Sequence, residues 1–150
     1  MNALPILLVE DNPGDVQLFR SLLSGPHHMT VAINGAEALD RLFQRGQFKD
    51  SQRPDIVVLD LNLPLLNGHE VLNAIRANSR LRSIPTIVFS LSDNPDDIQR
   101  AYDFGASAYI IKPSELEKTE RLLSAFVEFW IQGVAYPGGA RAKRRGTGGN

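Results

Sequence analysis

Acidic, hydroxyl and ammonium side chains directly follow four of the five apolar runs in the sequence. Glu10 and Asp11 come after the first run, Asp60 after the third, Ser90 after the fourth and Lys112 after the fifth. Ionisable groups at the ends of buried strands cost free energy unless they are paired with an opposite charge or bound to a metal ion. The acids and the lysine could satisfy this requirement together, which would make them one site.

The apolar runs themselves predict strands. Four of them are continuous and rich in β-branched residues or leucine, as expected for parallel strands that are buried on both faces. The second run is weaker and predicts an edge strand. The five runs cover residues 6–9, 29–32, 56–59, 86–89 and 108–111.

A segment with helical periodicity follows each of these runs. Each segment carries apolar residues at the spacing of one helix face. The stripes are Val16, Phe19 and Leu23; Ala36, Leu39 and Phe43; Gly68, Val71, Leu72 and Ile75; Ile98, Ala101, Tyr102 and Gly105; and Leu116, Leu123, Val127 and Trp130. A βα unit repeated five times predicts an α/β fold in which a parallel sheet carries helices on both faces.

Helix starts are also marked in the sequence. Asn and Asp are good N-caps, and proline is favoured in the first helical turn. The candidates are Asp11 or Asn12 before Pro13, Asp93 or Asn94 before Pro95, and Ser114 with Glu117 as a capping box. In a sheet of this kind the carboxyl ends of the strands form the ligand crevice, so the polar residues that follow the strands are expected to meet there.

Composition narrows the class of protein. The 150 residues carry a net charge of −1 and no cysteine, which excludes disulfides and thiolate metal sites. No apolar run is long enough to span a membrane and the first residues do not form a secretory signal, so we expect a cytoplasmic protein with no membrane partner. The stretch 141–145 is basic, but it is short and no helix-turn-helix accompanies it, so nucleic-acid binding is not expected.

Four segments together resemble the receiver domain of response regulators. The resemblance spans roughly residues 4 to 131 and depends on an Asp that is followed by Pro four positions later and by Gly eight positions later. The segments are Leu-Val-Glu-Asp-Asn-Pro at 8–13, Leu-Asp-Leu-Asn-Leu-Pro-Leu-Leu-Asn-Gly at 59–68, Phe-Ser at 89–90 and Ile-Lys-Pro at 111–113. The resemblance implies a flavodoxin-like (βα)5 three-layer sandwich with strand order 2-1-3-4-5 and a receiver domain at 1–132. The helical pattern ends near Gly133, and the glycine-rich, basic composition that follows predicts a C-terminal arm with a flexible basic tail at 133–150.

The resemblance also implies roles for individual residues. Asp60 would be the phospho-acceptor, and Mg²⁺ would be bound by Glu10, Asp11, Asp60 and the backbone carbonyl of Asn62. Lys112 and Ser90 would each contact a phosphoryl oxygen. Tyr109 would turn inward when Ser90 moves, which would switch the surface formed by helix 4, strand 5 and helix 5.

Two positions beside these residues carry further expectations. The family implies a cis peptide between Lys112 and Pro113 that aims the lysine. Leu91 is bulkier than the small residue often found there in the family. We therefore expect slower loss of the phosphoryl group than in a Leu91→Ala variant.

The function implied is that of a single-domain response regulator in a two-component phosphorelay. It would accept a phosphoryl group from a histidine kinase, catalyse no reaction beyond its own phosphorylation and dephosphorylation, and signal by binding a protein. The segment Val-Glu-Asp-Asn-Pro-Gly-Asp at 9–15 and the long fifth helix are similar to regulators paired with phytochrome-type kinases. Members of that group often form homodimers, through helix 4, strand 5 and helix 5 or through the C-terminal arm.

Two other functions remain open at this point. One is an aspartyl-phosphate phosphatase or phosphotransferase of the haloacid dehalogenase type. Such enzymes place a second Asp two residues after the nucleophile, and here that residue is Asn62, which cannot transfer a proton. The other is an interaction module that is never phosphorylated, although such a module would not need Asp11, Asp60, Ser90 and Lys112.

Overall fold

The computed structural model describes residues 3–23, 25 and 27–137. Five strands alternate with five helices along the chain. The strands are β1 (Pro5–Val9), β2 (His28–Ala32), β3 (Ile56–Leu59), β4 (Thr86–Ser90) and β5 (Ala108–Ile111). The helices are α1 (Pro13–Leu22), α2 (Gly35–Leu42), α3 (Gly68–Ala77), α4 (Pro95–Asp103) and α5 (Leu116–Phe126), with a short 3₁₀ turn at Gly46–Phe48 and a π-helical turn at Val127–Ile131.

The strands form one parallel sheet in the order β2-β1-β3-β4-β5, as the resemblance implied. The weak second strand is an edge strand, as predicted. Val9 pairs with Leu59, and Leu59 in turn pairs with Val88. This register brings the ends of β1, β3 and β4 to the same level, so the residues after these strands share one edge of the sheet.

The core has two layers because successive strand residues point to opposite faces. Leu7, Val9, Val57, Leu59 and Val88 pack against buried residues of α2, α3 and α4. The intervening strand residues pack against Phe19 of α1 and against Leu123 and Phe126 of α5; they are Ile6, Leu8, Ile56, Val58, Ile87 and Phe89. The α/β three-layer sandwich predicted from the sequence is therefore confirmed.

The helix starts agree with the sequence in two of three cases. The Asn12 side chain accepts from the Asp15 N–H at 3.1 Å, and that of Asn94 accepts from the Asp96 N–H at 2.8 Å. The capping box predicted for Ser114 and Glu117 is wrong. The last helix begins at Leu116, so Glu115 is the N-cap and makes no side-chain capping bond. Ser114 lies one residue too early to reach the first turn.

One predicted helix stripe is shifted by a residue. Ala36 is exposed, and the buried residues of α2 are Gly35, Ala38 and Leu42. A Cβ atom on Gly35 would lie only 2.0 Å from the backbone oxygen of Leu66. The close approach of the loop after β3 turns Gly35 inward, which a periodicity count along α2 could not reveal.

The chain remains packed beyond the last helix. Tyr136 falls within the stretch expected to be a flexible extension, but it is only 4% exposed and belongs to the core layer that contains Phe19 and Phe126. Its hydroxyl donates to the backbone oxygen of Trp130 at 2.5 Å. The basic residues expected in the tail lie outside the described residues, so the division at residue 132 stays a prediction. Within the described part of the chain, no helix is both long and apolar enough to cross a membrane.

Candidate functional site

The ends of β1, β3 and β5 bring two acids and one lysine into direct contact. The Lys112 Nζ lies 2.8 Å from Glu10 Oε1 and 3.3 Å from Asp60 Oδ2. All three residues are buried, with exposed fractions of 2% for Glu10, 7% for Asp60 and 8% for Lys112. The predicted convergence of strand-end residues is therefore present in the structure.

A third acid completes a group that could hold a cation. One carboxylate oxygen from each of Glu10, Asp11 and Asp60 lies within 4.8 Å of the other two. Asp11 is exposed, so the group opens to solvent on one side. Carboxylate oxygens in such a cluster suit a hard divalent ion. The cluster is typical of the acidic metal site that the resemblance to receiver domains implies.

The electrostatics of the pocket reflect crowding of negative charge. Burial, together with a smaller effect of the nearby Asp60 charge, raises the pKa of Glu10 to about 7, although the hydrogen bond from Lys112 acts in the opposite direction. The main cause is therefore the lost hydration of the carboxylate, which the Lys112 amine 2.8 Å away offsets only in part. A divalent cation beside Glu10 would further stabilise its ionised form.

Lys112 is held in its ionised form. Burial alone would lower the pKa of the amine, but hydrogen bonds to Asp15 and Glu10 and the charge of Asp60 outweigh that effect and raise it. The lysine is therefore a permanent positive charge at neutral pH, beside the carboxylate of Asp60.

Sequence reasoning missed Asp15. Its Oδ2 lies 2.8 Å from the Lys112 Nζ, as close as the contact that Glu10 makes. Asp15 lies in the first turn of α1, where an acid is ordinarily explained by the helix dipole. Pro13 places Asp15 in the first turn of a helix that starts near the end of β1. Nothing local in the sequence indicates that its partner is Lys112, 97 residues further along the chain.

The loop after β3 contacts the carboxylate of Asp60. The Asn62 N–H donates to Asp60 Oδ1 at 3.2 Å, which places the Asn62 backbone at the pocket. A Cβ atom at position 68 would lie 2.6 Å from the Asp60 backbone oxygen, so only glycine allows α3 to start this close to Asp60. This contact explains the glycine eight residues after the acid.

Ser90 and Tyr109 meet at the loop after β4. Ser90 is fully buried, and its hydroxyl accepts from the Ser92 N–H at 3.2 Å. The Tyr109 hydroxyl donates to the Ser92 backbone oxygen at 2.8 Å, and its ring packs against the core layer on the α4 side. Tyr109 is therefore not a strand residue that simply faces solvent. Leu91, between the two serines, is 64% exposed.

One expectation about Lys112 is wrong. No cis peptide bond occurs among the described residues, so the bond between Lys112 and Pro113 is trans. The trans form is the lower in energy even before proline. In this structure the amine of Lys112 reaches the acids with a trans bond before Pro113. The backbone N–H of Lys112 donates to the backbone carbonyl oxygen of Ser90 at 2.7 Å.

Comparison with known proteins identifies the family of this chain. The response regulator receiver domain family matches residues 6–124. Response regulator Rcp1 from Synechocystis sp. is 34% identical over 88% of this chain and 92% of that protein. The probable methanogenesis regulatory protein FilR2 from Methanothrix harundinacea is 37% identical over 90% of this chain and 88% of that protein.

Two solved structures of cyanobacterial regulators share the fold closely. The phosphorylated phytochrome response regulator RcpA superposes with a TM-score of 0.87 at 37% identity, covering 91% of this chain and 99% of that one. The Mn²⁺-bound form of Rcp1 superposes with a TM-score of 0.86 at 33% identity, covering 89% of this chain and 98% of that one. Sequence, fold and acidic pocket agree, and the chain belongs to the response regulator receiver domain family.

Proposed function

We propose that this chain is a single-domain response regulator that accepts a phosphoryl group on Asp60 in a Mg²⁺-dependent reaction. The observation that carries this proposal is the contact between the Lys112 amine and the Asp60 carboxylate inside a cluster of three acids. An acid held beside a permanent positive charge and a cation site is suited to receive a phosphoryl group.

Glu10, Asp11, Asp60 and the Asn62 carbonyl are the groups that would hold Mg²⁺. The residues fit a hard cation because carboxylate oxygens of Glu10, Asp11 and Asp60 converge within 4.8 Å of one another. When bound, the ion would offset the repulsion between the acceptor carboxylate and the incoming phosphoryl oxygens. In a related protein, Rcp1, a Mn²⁺-bound form is known.

The transfer itself is an in-line displacement. A carboxylate oxygen of Asp60 forms a bond to phosphorus while the bond from phosphorus to the donor nitrogen breaks, and the nitrogen keeps that electron pair and takes up a proton. Lys112 lies 3.3 Å from Asp60 and would stabilise the negative charge on the phosphoryl oxygens. Ser90 would donate its hydroxyl proton to another of these oxygens.

Movement of Ser90 would carry the signal outward. Ser90, Ser92 and Tyr109 are linked by two hydrogen bonds, and Ser92 also donates to Asp97 of α4 at 2.5 Å. A hydroxyl that turns toward a phosphoryl group on Asp60 would disturb this chain of contacts at the start of α4. The face formed by α4, β5 and α5 would then differ between the two states.

Partners follow from the same role. The phosphoryl donor would be a histidine kinase, and the similarity to Rcp1 and RcpA favours a phytochrome-type kinase. Large apolar side chains are exposed on α4, β5, α5 and the π-helical turn after α5, which suits an output partner or a homodimer there; they include Tyr102, Ile111, Leu116 and Phe129. The cytoplasmic location stays a prediction.

The proposal can be tested by intact mass. The protein is incubated with acetyl phosphate or phosphoramidate and Mg²⁺, and we expect a labile adduct of about 80 Da, the mass of one phosphoryl group. The adduct should be absent from Asp60→Asn and absent after chelation of Mg²⁺. Asp96→Asn is the matched control, because Asp96 is an exposed acid outside the pocket.

Each other outcome points to a different function. Rapid turnover of many phosphoesters would favour the aspartyl-phosphate enzyme, although Asn62 stands where such enzymes carry their second acid. No adduct from small donors or from a phytochrome-type kinase would contradict the proposal and favour an unphosphorylated interaction module.

A further inference from the structure

Lys112 makes three ionic contacts, and only two of them belong to the acid cluster. Its Nζ lies 2.8 Å from Glu10, 2.8 Å from Asp15 and 3.3 Å from Asp60. A lysine ammonium has three N–H donors, so each of the three acids takes one of them. Asp15 lies outside the group of three acids whose oxygens converge on a possible metal position.

The three contacts differ in length, so the three acids contribute differently to the position of the amine. The two short contacts, to Glu10 and Asp15, hold the ammonium from two sides, and the third N–H points toward Asp60. Glu10 would share its charge with a bound cation, which weakens its hold on the amine. Asp15 would keep its full charge for Lys112, because it is not in the metal cluster.

Asp15 is also placed to act from outside the pocket. It comes from α1, whereas the other two acids follow strands. Its side chain is 26% exposed, compared with 2% for Glu10 and 9% for Asp60. It therefore approaches the buried amine from the solvent side, whereas Glu10 and Asp60 contact the amine from the buried interior of the pocket.

We propose that Asp15 is a positioning residue that aims the Lys112 ammonium at the phosphoryl group on Asp60. This inference rests on the proposed function, since Lys112 matters only if Asp60 is phosphorylated. When the third N–H turns from Asp60 to a phosphoryl oxygen, the contact with Asp15 is retained and keeps the amine in place. Asp15 is not one of the acids that converge on the possible metal position and its observed contact is with Lys112, so its effect would pass through that amine.

The first test reads the position of the amine without any phosphorylation. In protein labelled with ¹⁵N-lysine, ammonium protons are observed by NMR only where exchange with water is slow. Lys112 is buried, whereas Lys49 and Lys118 are exposed, so we expect a protected ammonium signal from Lys112. The signal should broaden or vanish in Asp15→Asn and persist in Asp96→Asn.

The second test reads the consequence for phosphoryl transfer. At saturating Mg²⁺ and with phosphoramidate as donor, Asp15→Asn should form the adduct about tenfold more slowly, since a misplaced charge loses much of its effect on the transition state. Asp96→Asn is again the control, because Asp96 is also an acid in the first turn of a helix and its loss has a similar effect on the helix dipole. It should react at the native rate.

The outcomes separate this inference from the proposed function. Absence of an adduct on the native protein would contradict the function of Asp60, while the ammonium signal would still report on the contact. A native adduct with an unchanged rate in Asp15→Asn would overturn the role of Asp15 alone. An equal loss of rate in Asp96→Asn would overturn it too, because the cause would then be general charge. A native Lys112 signal in Asp15→Asn would show that Asp15 does not restrain the amine.

Discussion

Two regions of this protein are equally buried and have opposite chemistry. Val9 and Leu59 are completely inaccessible to solvent, and the next residue in each case is an acid, Glu10 or Asp60, that is almost as inaccessible. The apolar core on the two faces of the sheet, to which Val9 and Leu59 belong, gains stability from burial. The charged pocket at the strand ends instead contains groups that must find partners. The boundary between the core that stabilises the fold and the pocket that carries the reactive groups therefore lies at the last residue of these strands.

Lys112→Met should have the largest effect of these substitutions, and the quantity affected should be the rate of phosphorylation. Methionine keeps an apolar side chain beside the Phe89 ring, over which the Lys112 amine lies at 5.2 Å, but it removes the positive charge. We expect phosphorylation by a small donor to slow on the order of 10²- to 10³-fold, the usual cost of removing one preorganised charge stabiliser. Mass spectrometry over time measures this rate at saturating Mg²⁺.

The thermal stability of Lys112→Met also tests the comparison of the charged pocket with the apolar core. Mg²⁺ in the pocket would offset part of the negative charge that Lys112 leaves behind, so the thermal transition of Lys112→Met should rise when Mg²⁺ is added. A native phosphorylation rate in this variant would remove Lys112 from the mechanism.

Leu123→Ala should lower the free energy of unfolding without changing the rate of phosphorylation. Leu123 is buried in α5 within the layer that includes Phe19 and Phe126. The cavity and the lost burial should lower the free energy of unfolding by about 3 kcal/mol. Urea unfolding measures this change. The initial phosphorylation rate per folded molecule should stay native, and a large drop in that rate would break the separation of the two regions.

Tyr136→Phe should have a smaller effect in the same apolar layer. The change keeps the ring and removes only the hydroxyl that donates to the Trp130 backbone oxygen. Loss of this hydrogen bond should lower the free energy of unfolding by about 1 kcal/mol. Equal urea midpoints for the two proteins would show that the contact does not secure the end of the chain.

Leu91→Ala should give the smallest effect, at the mouth of the charged pocket. Leu91 is 64% exposed beside Ser90, where it can impede attacking water. After the donor is removed, the variant should lose its phosphoryl group about twofold faster, a barrier change of about 0.4 kcal/mol. Leu116→Ala, which removes another exposed leucine, is the control and should decay at the native rate. Equal decay of Leu91→Ala and the native protein would contradict the role of Leu91.

Much of the fold and most of the pocket could be predicted because both follow from short-range patterns. Buried parallel strands are recognisable as continuous apolar runs, and the residues that follow them must share one edge. Glu10, Asp60 and Lys112 were therefore predictable as a group. The position of Ser90 at the same edge followed from the same reasoning.

The features that were missed depend on contacts between distant elements. Asp15 meets Lys112 only because α1 packs with its first turn toward β5, which no local pattern encodes. Tyr136 precedes Pro137 and two glycines, a composition that favours a loop, yet its ring fills a space beside α5. The cis bond before Pro113 was inferred from family resemblance alone, and the structure has the lower-energy trans bond.

The location of a bound metal ion tests the central claim most directly. Crystals grown with Mn²⁺ in place of Mg²⁺ would reveal the ion by its anomalous scattering. We predict one strong peak about 2.1 Å from carboxylate oxygens of Asp11 and Asp60, a distance typical of small hard cations, with the Lys112 amine still beside Asp60. An empty pocket at saturating Mn²⁺, or a Lys112 side chain turned away from Asp60, would contradict the account.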